Sequence, residues 1–280
     1  MTPDSDVGRE VEPQIVGPPE EPGLSPQARR LGRRLFWIAT GLFLIVTTLL
    51  HVVGGLPVVD AILLGVLLAA APGLAIAQVP LVEGVVIERL PAYWSSIFTL
   101  SVVGMTCWLV GGRAGGAEAL GLVPLSPEAM VVWSLGLTAA GLLVIAVFHV
   151  TCRWTDLTDS ALLEALLPRT ARERRAFALL SVSAGVGEEM AYRGYAIPAL
   201  SPLLGLTGAA VVSTAVFGVV HAYQGPLGIV RTGLMGGILA WGFLASGSLW
   251  PSMIAHTLID LIAGIALGDR LLVTSTSDPS

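Results

Sequence analysis

The stretch Glu188-Glu189-Met190-Ala191-Tyr192-Arg193 puts three charged residues into six positions of a chain otherwise suited to a bilayer. Only 12% of the sequence is charged, and its mean hydropathy is +0.79. One charge at mid-membrane costs about 2.5–3.5 kcal/mol on insertion scales, so two acids and an arginine together require a reason. Two more polar clusters follow in equally apolar surroundings: His221, after Phe217-Gly218-Val219-Val220, and His256 with Asp260. Carboxylates, imidazoles and a guanidinium gathered inside a membrane read as a reaction centre.

The rest of the chain supplies the membrane part. Its 280 residues are 54% hydrophobic, enough for several crossings of about 20 apolar residues each. Apolar runs predict helices over Leu35–Val53, Val58–Val79, Trp94–Val110, Ala129–Val150, Ala176–Ala199, Leu206–Val220, Ile229–Leu249 and Trp250–Leu267. The expected fold is therefore all-α, a polytopic transmembrane bundle of about eight helices. The first apolar run begins only at Leu35 and reads as an anchor that stays attached. Residues 1–30, rich in proline and acids, read as a disordered cytoplasmic tail. Residues 31–169 hold the first helices and a cytoplasmic loop, 170–268 the helices with the polar motifs, and 269–280 a carboxyl-terminal tail.

Arginine placement sets the orientation. Arg29, Arg30, Arg33 and Arg34 precede the first run, and Arg153, Arg169, Arg172, Arg174 and Arg175 crowd the 151–175 loop. Both regions belong on the cytoplasmic side, which puts both termini there; Arg113 is the exception on the opposite side. Within the loop, Asp159 is placed to cap a short surface helix ending at Pro168. The net charge of −5 comes largely from the tail and says nothing about nucleic acid. Cys107 and Cys152 form neither a metal nor a redox spacing. All basic residues are Arg, a bias suggesting a GC-rich bacterial genome.

Glu189 and Arg193 are four apart and share a helix face, which reads as a self-neutralising pair. Glu188, turned by about 100°, lacks that partner and is a candidate general base for water. His221 alone is weak evidence for chemistry, with Phe217 placed to pack on its ring. His256 and Asp260 also share a face, and their plain reading is a local hydrogen bond. His51 and His149 read as structural, and Asp60 as interfacial.

Glu-Glu-x-x-x-Arg at 188–193, Phe-x-x-x-His at 217–221 and His-x-x-x-Asp at 256–260 resemble, in order, the motifs of the CAAX-protease and bacteriocin-processing (CPBP, Abi) intramembrane proteases. One helix between the last two motifs also fits that family, and the resemblance covers about residues 170–268. It implies an endopeptidase acting on a peptide or protein in or near the bilayer. Glu188 would be the base and His221 would help hold the water. Glu189 and Arg193 would support the site, while His256 and its partner would stabilise the oxyanion. The last motif position is often Asn in the family, and an ionised Asp260 cannot donate a hydrogen bond; Asp260 would instead orient His256 or stay protonated through burial. The motifs contain no His-Glu-x-x-His pair, so a metal-free mechanism is preferred and no cofactor is required. Zinc stays open, with His221, His256 and Asp260 as the candidate ligands. Two other classes compete: a non-catalytic scaffold or immunity-type membrane protein on the same fold, and a proton-coupled transporter. Intact Glu188, His221 and His256 count against the first, and the want of a repeat relating two halves counts against the second.

Overall fold

Residues 25–82, 87–113, 115–155 and 160–268 are described by the structure, a computed structural model. The expected tail up to residue 24, Asp159 and the segment 269–280 lie outside them. Among the described residues the chain is an all-α polytopic bundle.

Helix α1 is Pro26–Val53. Ser25 Oγ accepts from the Ala28 N–H at 3.1 Å, and Pro26 sits in the first turn, where its missing N–H costs nothing. Residues 26–30, assigned to the tail by composition, are thus the first helical turn. Helices α2 (Val58–Leu81), α3 (Arg89–Gly111) and α4 (Pro127–Thr155) follow. The short α5, Ala161–Ala165, is capped by Ser160 and ends three residues before the proline expected to stop it.

The apolar helical segment Ala171–Val220 has 50 residues. Straight, it would be about 75 Å long, far beyond a hydrocarbon core of about 30 Å. It breaks at Gly205, whose φ of +67° and ψ of 164° suit glycine alone. The break separates α6 (171–204) from α7 (206–220). At its start α6 carries a capping box between Thr170 and Glu173. Helices α8 (Gly225–Ser246) and α9 (Trp250–Ala266) complete the described residues. Leaving the short α5 aside, these are the eight apolar helices expected from the sequence.

Helix α6 lies between α3 and α9, and small residues let the three backbones approach. A Cβ on Gly187 would meet the Leu100 carbonyl oxygen at 2.6 Å, and one on Gly185 would meet the Met253 carbonyl oxygen at 2.8 Å. The backbone just ahead of Glu188 is therefore clamped on both sides. Gly187→Ala is expected to destabilise the bundle by about 1–3 kcal/mol, because the facing atom is backbone and cannot turn aside. Thermal unfolding in detergent would show this as a lowered midpoint. Outward, Phe98, Val132 and Trp154 are 70% or more exposed. Apolar exposure of this kind would drive aggregation in water but faces lipid in a bilayer.

Asp60 departs from its expected interfacial place. It is buried and pairs with Arg113, and it accepts from the Tyr195 hydroxyl of α6 at 3.0 Å. One partner lies just past the end of α3 and the other on α6, so nothing in the local sequence marks the contact. It also accounts for Arg113, the arginine that stood on the wrong side of the charge rule.

Candidate active site

Four helices converge on the charged stretch. Immediately after Glu189, residues Met190–Ala196 of α6 form a π-helical segment, and all seven are buried. The wider turn shifts the helical register and frees a backbone carbonyl. Ser213 of α7 donates to that of Tyr192 at 2.6 Å. Insertions of this type recur at functional sites, and this one directs both Glu189 and Arg193 into the bundle.

Glu189 and Arg193 have no exposed side-chain surface, and Arg193 Nη1 donates to Glu189 Oε1 at 2.9 Å. The guanidinium also donates from Nη2 to the Gly236 carbonyl of α8 at 2.8 Å, and its Cζ lies 4.2 Å above the Phe217 ring centre. A buried charge needs such compensation, since desolvation costs several kcal/mol per ion. Glu189 Oε1 also meets His256 Nδ1 of α9 at 2.9 Å. An acid from α6 thereby holds an imidazole from α9.

Glu188 is left without such a partner. Its Oε2 is buried and makes no hydrogen bond among the described residues. It lies 3.9 Å from His221 Nε2 and 3.7 Å from His256 Nε2. His221 caps α7 with non-helical dihedrals, and the chain turns through Ala222–Gln224 into α8. Its Nδ1 faces the Phe217 carbonyl at 2.9 Å. A carbonyl only accepts, so Nδ1 carries a proton, and Nε2 is the ring nitrogen turned toward Glu188. Phe217 packs against both imidazoles, with ring centroids 4.9 Å from His221 and 6.0 Å from His256.

The structure thus brings Glu188, Glu189, Arg193, His221 and His256 together. Asp260 stands at the margin: its Oδ2 is 3.7 Å from His256 Nε2, and its side chain is about a third exposed. The hydrogen bond expected between them is not made. His256 turns Nδ1 toward Glu189 instead, and the fully buried carboxylate, not the half-open one, orients the ring. Among the described residues no group of three or more His, Cys, Asp or Glu side chains is arranged to hold a metal ion. His221, His256 and Asp260 do not form such a set, and no step below passes through a metal. The Glu189–His256 contact was missed because it joins helices 67 residues apart. A buried acid already paired on its own helix gives no sequence signal of a second partner.

Residues 172–262 match a family model described as Rce1-like, type II CAAX prenyl endopeptidase Rce1-like. The match contains all three motifs, and the resemblance read from them holds over this stretch. It supports a protease embedded in a membrane; helices α1–α4 lie outside it. Among curated proteins and among solved structures, none matches the chain.

Proposed function

We propose that this chain is an intramembrane endopeptidase that hydrolyses a peptide bond in a membrane-associated protein or peptide with water activated by Glu188 and His221. The observation that carries the reading is the buried, unbonded Glu188 Oε2, facing two imidazole nitrogens at 3.9 and 3.7 Å. These separations exceed a hydrogen bond, and one water bridges such a gap. Glu189 Oε2 is likewise unbonded, but Glu189 is paired through Oε1 with Arg193 and His256, and Glu188 has no such pairing.

The water donates one hydrogen to Glu188 and the other to His221 Nε2. Its oxygen attacks the peptide carbonyl carbon while Glu188 takes the first proton, and the carbonyl π pair moves to oxygen. As an imidazolium balanced by Glu189, His256 offers Nε2–H to that oxyanion. Collapse re-forms the carbonyl, breaks the C–N bond and passes the Glu188 proton to the leaving nitrogen. The proton left on the new carboxyl passes through His221 Nε2 to the amine, so the products are a carboxylate and an ammonium, with no oxidant, reductant or metal required.

The Ser160 hydroxyl just ahead of α5 donates to the Tyr223 carbonyl at 2.9 Å, so the turn after His221 lies beside the arginine-rich loop. The site then opens toward the cytoplasmic side of a multi-pass cell-membrane protein of bacterial origin, with both termini in the cytoplasm. A prenylated substrate is not inherited with the family description, because a bacterial host would lack its own prenylated CAAX proteins.

Asp260 tests the metal-free mechanism. Asp260→Asn is expected to keep substantial cleavage of a mixed-sequence, internally quenched peptide library by purified protein in lipid vesicles. The amide can donate to the oxyanion, whereas an ionised carboxylate cannot. Chelators should inhibit weakly, and elemental analysis should find no stoichiometric zinc. Zinc that disappears together with activity in Asp260→Asn would overturn the mechanism.

A further inference from the structure

His256 is the one donor named so far for the oxyanion, and acyl-transfer sites commonly aim at least two donors at the developing charge. Asp260, where the resembling family often has an amide, is a carboxylate and supplies none when ionised. Another donor near Glu188 therefore has a chemical reason to exist.

Tyr223 lies two residues after His221, on the turn Ala222–Gln224. Its ring centroid is 5.8 Å from that of His221, with the planes inclined by 38°. The phenol ring thus lies against the imidazole whose Nε2 is 3.9 Å from Glu188 Oε2. Its oxygen accepts from Gln224 Nε2 at 3.1 Å. Gln224 is itself anchored, because its Oε1 accepts from Arg231 Nη2 at 3.2 Å and Thr232 Oγ1 at 3.4 Å. Behind the ring, the Tyr223 carbonyl is held by Ser160. Among the described residues the Tyr223 O–H is bonded to no acceptor, although the oxygen and backbone around it are tied down.

The geometry points to Tyr223 as a further catalytic residue, the second hydrogen-bond donor to the oxyanion of the tetrahedral intermediate. A phenol whose oxygen already accepts a hydrogen bond is a stronger donor through its own O–H. The proton stays on Tyr223 throughout. When the oxyanion lone pair re-forms the carbonyl and the C–N bond breaks, the hydrogen bond is released and the leaving nitrogen takes its proton from Glu188. A tethered donor of this kind costs little reorganisation as the charge develops. The inference rests on the hydrolytic reading above.

Tyr223→Phe keeps the ring against His221 and deletes only the hydroxyl. With the same peptide library in vesicles, kcat per folded enzyme should fall by about 10²–10³-fold, the range for loss of one oxyanion donor. KM should stay within about twofold, because the bond is made only in the transition state. Affinity for a phosphinate peptide, whose tetrahedral anion mimics the intermediate, should fall as kcat does. Retention of kcat to within about threefold, or a loss confined to KM, would overturn the inference. Glu188→Gln separates the two levels of the argument. If that variant is inactive while Tyr223→Phe is normal, hydrolysis by Glu188 stands and Tyr223 is a bystander. If Glu188→Gln cleaves like wild type, or wild type cleaves nothing, the hydrolytic reading fails and takes the inference with it.

Discussion

Glu188→Gln is expected to reduce cleavage by at least about 10²–10⁴-fold, the usual contribution of a general base, while the protein stays folded in the membrane. Glutamine has the shape of glutamate and no usable proton affinity, so water is left unactivated. Stability should hold because Glu188 Oε2 has no hydrogen bond to lose among the described residues. Removing its charge also relieves repulsion from Glu189. Thermal unfolding in detergent and cleavage per folded molecule check the two halves together. A variant that unfolds, yet cleaves normally in the fraction that survives, would make Glu188 a structural residue.

The opposite behaviour is expected one position along. Arg193→Ala leaves Glu189 buried with His256 as its remaining partner, and Glu189→Ala strands a guanidinium with no exposed surface. Breaking a buried pair from one side costs about 3–5 kcal/mol, because the remaining charge is uncompensated. Each single substitution should therefore lower the unfolding midpoint as well as activity. The double substitution removes both charges and should cost less than the sum of the two. A thermal double-mutant cycle measures the coupling; strictly additive losses would mean that the two residues do not stabilise one another. Glu189→Ala should also release the His256 ring, so its activity stays low even where the double variant regains stability.

Much of this was legible in the sequence, for physical reasons. A bilayer demands long apolar helices with internally satisfied backbones, so the apolar runs located the eight helices, with most ends within about five residues, although α1 begins at Pro26, well before the expected Leu35. Four-residue spacing put Glu189 beside Arg193, and the odd residue, Glu188, stood out because it lacked a partner on its own helix. Contacts between helices were not legible. His256 was expected to bond with Asp260, its helix neighbour, yet the bond goes to Glu189 of α6. Asp60 looked like a surface acid at a helix start, and its partners Arg113 and Tyr195 lie on or beside other helices. The π-helical turn at Met190–Ala196 was not read from the sequence either, since helix propensity does not separate a π turn from an α turn. Periodicity reports which face a residue occupies. It does not report what the next helix brings to that face.

Purified wild-type protein and Glu188→Gln, each in lipid vesicles, incubated with the peptide library in ¹⁸O-labelled water, put the hydrolytic role of Glu188 to the most direct test. Mass spectrometry of the fragments should show one solvent oxygen in each new carboxyl terminus made by the wild type, and no such fragments from the variant. Labelled fragments appearing at the same rate from both proteins, or an intact library after incubation with the wild type, would contradict it.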